Sequence, residues 1–136
     1  MLEVTKATDR FKLACACAML ALTFFMLASC KGYSSRAAVE EMTGGNVARG
    51  EAAINRYGCG TCHTISGISG AQGQVGPPLT GIASRTYIAG VLENNPDNML
   101  RWIQNPRGVD EKTAMPTLGV SEQDARDIAS FLYTLK

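Results

Sequence analysis

Two cysteines and a histidine lie close together in the segment Cys59-Gly60-Thr61-Cys62-His63. Two thiols separated by two residues can reach the two vinyl groups of one porphyrin. The next residue then lies beneath the iron, where imidazole is a proximal ligand. This spacing is the signature of c-type haem attachment. It predicts one covalently bound haem c, attached through Cys59 and Cys62, with His63 as a ligand of the iron.

Three other interpretations of the motif compete with haem attachment. A thioredoxin-like redox pair needs a βαβ context, which the sequence pattern lacks. A structural zinc site needs four ligands. His63 is the only histidine, and only two cysteines remain in the part of the chain expected to fold, so carboxylates would have to complete such a site. A plain disulfide between Cys59 and Cys62 stays open, because an exported chain can oxidise paired thiols.

The first 29 residues are typical of an export signal. Three basic residues precede an apolar, uncharged run over residues 13–28, which is too short to span a bilayer comfortably. The run ends in a Leu-Ala-Ser-Cys sequence that resembles a bacterial lipobox, where signal peptides are cut and the cysteine is diacylated. We expect a signal peptide over residues 1–29 and a lipid anchor on Cys30. A retained amphipathic or membrane helix is the alternative.

The charge balance gives no indication of a nucleic-acid partner. The full chain has 13 basic and 12 acidic residues, and removal of residues 1–29 leaves ten of each. Nucleic-acid-binding proteins carry a clear basic excess. We therefore expect no such partner, and any electrostatic steering of a protein partner must come from local patches.

Helix signals lie on either side of a long loop. Residues 30–46 are polar and turn-rich, which predicts a flexible tether ahead of a folded domain over residues 47–136. Asn46 can cap a helix that ends at Gly58. Asn95 with Pro96 marks the start of a second helix, and Ser121 that of a third.

The loop over residues 64–81 is rich in glycine and includes two consecutive prolines. A loop of this length in a small domain is uncommon unless it is functional. Strand alternation is absent from the pattern. The sequence therefore predicts an all-α fold of three to five short helices, with long loops wrapped round one haem that completes a small core.

The order of these motifs resembles that of the small class I cytochromes c, from about residue 47 to residue 135. Such proteins have an N-terminal helix with a glycine and an aromatic residue, the haem motif, a Gly-Pro-x-Leu segment, a tryptophan-bearing helix, a Met-Pro element and a C-terminal helix that crosses the first. Residues 83–87 and 94–96 also resemble cytochrome domains that are fused to, or serve, haem-copper oxidases. The matching residues are Gly50, Tyr57, residues 59–63, Gly76-Pro77-Pro78-Leu79, Trp102, Met115-Pro116 and residues 121–135.

The second axial ligand must come from a short set of side chains. A second histidine is excluded, and three of the six methionines lie in the first 29 residues, which leaves Met42, Met99 and Met115. Met42 falls in the expected tether, and Met99 lies on a helical stripe where core packing is more typical. Met115 precedes Pro116 in an extended segment. We predict Met115 as the distal ligand, with core packing as its alternative.

The resemblance also implies roles for five residues around the haem. The Pro77 carbonyl would accept the Nδ1 proton of His63. Leu79 would be part of an apolar wall. Three further residues would contact or neutralise the haem propionates, although a core aromatic or a solvated polar side chain is the simpler role for each: Arg85, Tyr87 and Trp102.

The function implied by this resemblance is electron transfer, with no catalysis by the chain itself. We expect a lipid-anchored respiratory carrier on the periplasmic side of a bacterial membrane or on the cell surface. Its partners would be a terminal oxidase, a cytochrome bc1-type complex or a dehydrogenase. Two alternatives stay open: an electron-exit subunit of a dehydrogenase or oxidase complex, and a haem sensor or enzyme with an open distal site.

Overall fold

A computed structural model describes residues 30–136, with side chains from residue 35 onward. The predicted signal peptide lies outside these residues, as does the side chain of Cys30. Contacts divide the chain into two units, residues 1–35 and 36–136, and the second contains the folded domain. No helix in the described part is long and apolar enough to cross a membrane.

The described chain is mostly helical, which confirms the predicted all-α class. Five α-helices and two short 3-10 turns are joined by long loops, and one small hairpin lies between the turns and the third helix. In chain order the elements are helix α1 (Cys30–Thr43), helix α2 (Val47–Arg56), a 3-10 turn (Cys59–Thr61), a second 3-10 turn (Ile82–Ser84), strand β1 (Tyr87–Ile88), strand β2 (Leu92–Glu93), helix α3 (Pro96–Gln104), helix α4 (Pro106–Val109) and helix α5 (Glu122–Leu132).

The three predicted helix starts are present with the predicted caps. In each case a side-chain oxygen of the cap accepts a hydrogen bond from a backbone N–H in the first turn, which has no partner inside the helix. The bonds are Arg49 N–H to Asn46 at 3.0 Å, Asn98 N–H to Asn95 at 2.9 Å, and Asp124 N–H to Ser121 at 3.2 Å.

The core forms where helix α2 crosses helix α5. Gly50 allows the close approach, because a Cβ atom at this position would lie 2.0 Å from the Asp127 carbonyl oxygen. Ile54 of helix α2 and Ile128 of helix α5 are buried in the same apolar cluster. Helix α3 packs against helix α5 as well. The crossing therefore holds helix α2, which precedes the haem motif, against the C-terminal helix.

Asp127 is a buried carboxylate at this crossing, with only 2% of its side chain exposed. Its two oxygens accept bonds from Arg49 at 2.7 and 2.8 Å, from the Asn46 backbone N–H at 2.8 Å and from Gln123 at 3.1 Å. Burial alone would raise the pKa of Asp127, but these donors outweigh it and hold the pKa below its usual value. The negative charge of Asp127 is thus compensated by donors at the start of helix α2 and by Gln123.

The predicted flexible tether over residues 30–46 is wrong in one respect, because Cys30–Thr43 is helical. Apart from Val39, residues 37–42 are strong helix formers and favour this conformation. The Thr43 hydroxyl is buried and hydrogen-bonds the Ser130 hydroxyl of helix α5. The Glu40 carboxylate accepts bonds from the Asn46 side chain at 2.9 Å and from the Val47 N–H at 2.8 Å. The end of helix α1 is therefore part of the domain.

The hairpin is a second difference from the sequence analysis. Strands β1 and β2 pair antiparallel, with Ile88 opposite Leu92. The turn places both Ala89 (φ 51°) and Gly90 (φ 78°) in the left-handed region. Alanine is uncommon there, and strands of two residues are too short to show alternation. The local sequence therefore carried no usable signal for this element.

Candidate functional site

A cavity of about 650 Å³ opens among the loops. Its volume lies within the range of typical ligand pockets, about 300–1,000 Å³. All the residues predicted to contact the haem line it, although they come from widely separated parts of the chain. They are Cys59, Cys62, His63, Pro77, Leu79, Arg85, Tyr87, Trp102 and Met115.

The two cysteines and His63 are presented by a tight turn directly after helix α2. Gly58 has a φ of 67°, which ends the helix and starts the 3-10 turn over Cys59–Thr61. The N–H of His63 donates to the Cys59 carbonyl at 3.0 Å and closes this turn. Within the described residues the two cysteines form no disulfide, and burial raises the pKa of the Cys59 thiol. Both thiols and the imidazole therefore line one cavity.

The imidazole of His63 is fixed by hydrogen bonding. Its Nδ1 lies 2.8 Å from the Pro77 carbonyl oxygen, the contact expected from the family resemblance. A carbonyl can only accept, so Nδ1 carries the proton and Nε2 keeps its lone pair. A neutral histidine in this tautomer can ligate a metal through Nε2, while the bond at Nδ1 fixes the orientation of the ring.

Gly76 packs against the His63 ring, a contact that the sequence analysis did not identify. A Cβ atom on Gly76 would lie 2.3 Å from Cε1 of the imidazole and 2.7 Å from Nδ1. The Gly76 N–H donates to the Cys62 carbonyl at 2.8 Å, so the backbone has little freedom to withdraw. A glycine directly before Pro77 was the available signal. Any larger residue would push the ring out of place.

Two methionines line the cavity in different settings. Met99 of helix α3 is 2% exposed and belongs to the core, as expected. Met115 is half-buried in an extended segment, where its N–H donates to the Thr113 hydroxyl at 3.2 Å. Met42 lies on helix α1, is 47% exposed and does not line the cavity. Met115 is thus the cavity methionine that no helix constrains.

The three candidate propionate contacts have different surroundings. Arg85 donates through its guanidinium to the carbonyls of Pro78 and Thr80, beside the segment that holds His63. Tyr87 starts strand β1 and is 55% exposed. Trp102 is half-buried and packs against the core from helix α3. The Arg85 guanidinium is therefore fixed at the cavity wall by two backbone carbonyls.

The rest of the cavity wall is mainly apolar, and the sequence analysis did not name most of these residues as site residues. Several lie on the buried stripes of helices α2, α3 and α5, so helical periodicity was the signal that could have found them. Among the described residues no group of three or more His, Cys, Asp or Glu side chains is placed to hold a metal ion. Examples of the apolar lining are Ile54, Ile65, Ile82, Ile88, Ile103, Ile128 and Leu132.

Comparison with known proteins identifies this arrangement. The family model described as cytochrome c matches residues 47–136, from the start of helix α2 to the last residue of the sequence given. This chain belongs to the cytochrome c family. As a cytochrome c it carries covalently attached haem c and transfers electrons. The residues present fit that group, since paired thiols, a metal-competent imidazole and a thioether line one largely apolar cavity.

Two curated relatives of this cytochrome c carry the name "Cytochrome c oxidase subunit 2". The protein from Alkalihalophilus pseudofirmus is 34% identical over 101 residues, which is 74% of this chain and 29% of the relative. The protein from Bacillus sp. (strain PS3) is 32% identical over 91 residues, 64% of this chain and 25% of the relative. The chain thus spans less than a third of the length of these relatives. No solved structure matches it significantly.

Proposed function

We propose that this cytochrome c is lipid-anchored on the outer side of a bacterial membrane and passes single electrons towards a terminal oxidase. The observation that carries the proposal is the shared cavity: the paired cysteines and His63 line it together with Met115. The names of the two relatives support an oxidase as the partner. Roles of individual residues, the anchor and the partner are all part of this proposal.

Within this proposal the chain binds haem through four side chains. The Cys59 and Cys62 sulfurs would hold the haem through two thioether bonds, and Nε2 of His63 and the sulfur of Met115 would ligate its iron. The bound haem supplies an iron centre that gains and loses one electron. A Met115 thioether ligand together with the His63 imidazole would favour ferrous over ferric iron and raise the reduction potential, which suits delivery to an oxidase.

The surrounding residues orient these ligands and keep water away. The Pro77 carbonyl holds the His63 ring by accepting a hydrogen bond from its Nδ1–H. Leu79 and the isoleucines form an apolar wall that lowers the local polarity. Arg85, Tyr87 and Trp102 line the cavity and would contact the propionates. The fixed charge of Arg85 would compensate their negative charge.

Attachment is tested by whether haem survives denaturation. Thioether bonds resist denaturants, so a denaturing gel stained for haem should show a band for the wild-type protein made in a host competent for cytochrome maturation. The double variant Cys59→Ser, Cys62→Ser should show none. His63→Ala should lose the low-spin spectrum of any haem that it carries. A wild-type protein without haem, with Cys59 and Cys62 joined in a disulfide, would contradict the proposal.

The anchor is tested at Cys30. A diacylated cysteine carries at least two acyl chains, enough for stable membrane residence where a single chain is marginal. Cys30→Ser should therefore release the protein from membranes or block its processing, with an unchanged haem spectrum if it is released. Intact mass spectrometry of the wild type should show the lipid. A native protein found soluble with residue 1 still present would rule the anchor out.

The partner is tested by mixing the reduced protein with membranes that contain a haem-copper oxidase. Haem absorbance should report oxidation that stops when the oxidase is inhibited. Co-purification then separates two forms of the proposal, because a subunit would remain with the oxidase through detergent extraction and a mobile carrier would not. Oxidation that is unaffected by the inhibitor would exclude the oxidase as acceptor.

A further inference from the structure

Asn94 makes a complete set of side-chain hydrogen bonds beside the cavity wall. Its Nδ2 donates to the carbonyls of Ile82 and Arg85, both at 2.8 Å. Its Oδ1 accepts from the Tyr133 hydroxyl, also at 2.8 Å. If the amide were flipped, an oxygen would face two carbonyl oxygens, so only one orientation is allowed. The Asn94 side chain is therefore fixed by all of its partners.

These bonds span the turn that presents Arg85. Ile82 starts the 3-10 turn and Arg85 follows it, and the two are also joined by the Arg85 N–H to Ile82 carbonyl bond at 3.2 Å. The backbone N–H of Asn94 donates to the Thr86 carbonyl at 2.9 Å. Asn94 thus holds the backbone on both sides of Arg85.

Tyr133 connects this turn to the C-terminal helix. It caps helix α5, and only 7% of the residue is exposed. Burial raises its pKa to about 12, so the hydroxyl stays protonated at neutral pH and can donate to Asn94. An amide oxygen can only accept, which fixes the direction of this bond. The end of helix α5 therefore orients the Asn94 amide.

Arg85 links the turn to the segment behind His63. Its guanidinium lines the cavity and donates to the Pro78 carbonyl, and Pro78 follows the proline that accepts from the imidazole. Hydrogen bonds and short lengths of backbone thus connect Tyr133, through Asn94 and Arg85, to the His63 side of the site. A shift of the turn would move the only guanidinium on the described cavity wall.

We propose that Asn94, oriented by Tyr133, is a positioning residue that fixes Arg85 beside the haem and so keeps the reduction potential high. The inference rests on the proposed function of Arg85 at the propionates. A fixed positive charge near the iron stabilises the reduced state over the oxidised one. A guanidinium released to solvent is screened and loses most of this effect.

The test is a double-mutant cycle on the haem-containing protein, with the midpoint potential as the measurement. Asn94→Ala and Arg85→Ala should each lower the potential. If Asn94 acts through Arg85, the double variant should match Arg85→Ala alone, because the second change has nothing left to displace. Shifts that add in the double variant would overturn the inference.

Two further variants separate positioning from general stability. Asn98→Ala removes another asparagine side chain nearby, one that donates to the Glu93 carbonyl at 3.0 Å and not to a carbonyl of the turn. Ser130→Ala removes a buried hydroxyl that bonds Thr43 and lowers stability away from the cavity wall. Neither should move the potential. Tyr133→Phe should lower it by less than Asn94→Ala, since the Asn94 donors remain.

A second readout does not depend on redox chemistry. Exchange of the Arg85 backbone N–H with solvent, followed by NMR, should be faster in Asn94→Ala than in Ser130→Ala. Equal exchange rates would show that the turn does not need Asn94 and would overturn the inference. A protein that bears no covalent haem would instead contradict the proposed function itself, and this inference with it. A haem-bearing protein with additive shifts would contradict the inference alone.

Discussion

The two sides of the cavity are built differently. The His63 wall, residues 59–81, is crossed by backbone hydrogen bonds between distant residues, such as Gly73 to Gly60 at 3.1 Å and Leu79 to Thr64 at 2.9 Å. The Met115 wall consists of residues 110–120. Its backbone hydrogen bonds lie at its start and join residues that are close in sequence. Within the described structure residues 114–120 make no backbone-to-backbone hydrogen bond.

This difference indicates that the two proposed iron ligands are held with different rigidity. The His63 side is held in place by the chain's own contacts, because the imidazole is hydrogen-bonded to the Pro77 carbonyl and packed on Gly76. The Met115 side can adjust, because few backbone bonds must break for it to move. A covalently attached cofactor needs one rigid side to fix its position and tolerates a more adaptable side opposite.

The largest expected effect is at Met115. Met115→Ala should abolish the weak far-red sulfur-to-iron band of the ferric protein and open the site to carbon monoxide, while covalent haem remains. Met99→Leu replaces a packing thioether with a side chain of similar volume and should leave the band intact. Absorbance spectra of both variants provide the measurement. If the band disappears in Met99→Leu and persists without Met115, the Met115 wall has been assigned the wrong ligand.

Glycine substitutions compare the rigidity of the two walls directly. Gly76→Ala should cost about 1–3 kcal/mol by overpacking and should also perturb the haem spectrum, because its Cβ meets the imidazole. A Cβ atom on Gly119 would meet no atom within 4 Å, but because φ is 68° the Gly119→Ala substitution should add backbone strain of about 1 kcal/mol. Its spectrum should match the wild type. Denaturant unfolding and absorbance provide both measurements, and a silent Gly76→Ala would contradict the rigid-wall interpretation.

Hydrogen exchange should separate the walls without any substitution. The N–H groups of Gly73, Gly76 and Leu79 have backbone acceptors and should exchange slowly. Those of the exposed residues 117–119 have none and should exchange close to the rate of an unprotected peptide. NMR of the reduced protein provides the measurement. Strong protection over residues 117–119 would show that the Met115 wall is as rigid as the other.

Lowering the pH should gradually destabilise the packing of helices α2 and α5 behind both walls. The pKa values of Asp124 and Asp127 are lowered, the first mainly by a hydrogen bond from Tyr57 and the second by donors led by Arg49. A lowered folded-state pKa contributes stability above the unfolded value, about 3.9, and that stability is lost as pH falls through the folded value. Helical circular dichroism should therefore decline below about pH 4. Asp127→Asn should flatten this dependence.

The sequence alone predicted the features that local patterns encode. Asn46, Asn95 and Ser121 cap helices as expected, because a cap acts within one turn of its own residue. The haem motif and the segment around Pro77 also depend on short spacings. Local signals predicted the haem motif, and the family resemblance supplied the residues around it; the structure places all of them on one cavity.

The features that escaped prediction depend on contacts between distant parts of the chain. Asn94 meets Tyr133 from 39 positions away, and helix α1 is docked by the bond from Thr43 to Ser130, 87 positions apart. Ala89 adopts a positive φ that its own residue type does not favour. No window of local sequence contains both partners of such contacts, so neither periodicity nor capping rules could reveal them.

The docked end of helix α1 determines where the protein can safely be shortened. A chain cut to begin at Val47, where the family match starts, would lose the Glu40 carboxylate that accepts the first N–H of helix α2. It would also leave the Ser130 hydroxyl and the Arg126 guanidinium without their partners at Thr43. Lost helix caps cost about 0.5–2 kcal/mol. A soluble form for spectroscopy should therefore begin between Lys31 and Arg36, and one that begins at Val47 should melt at a lower temperature.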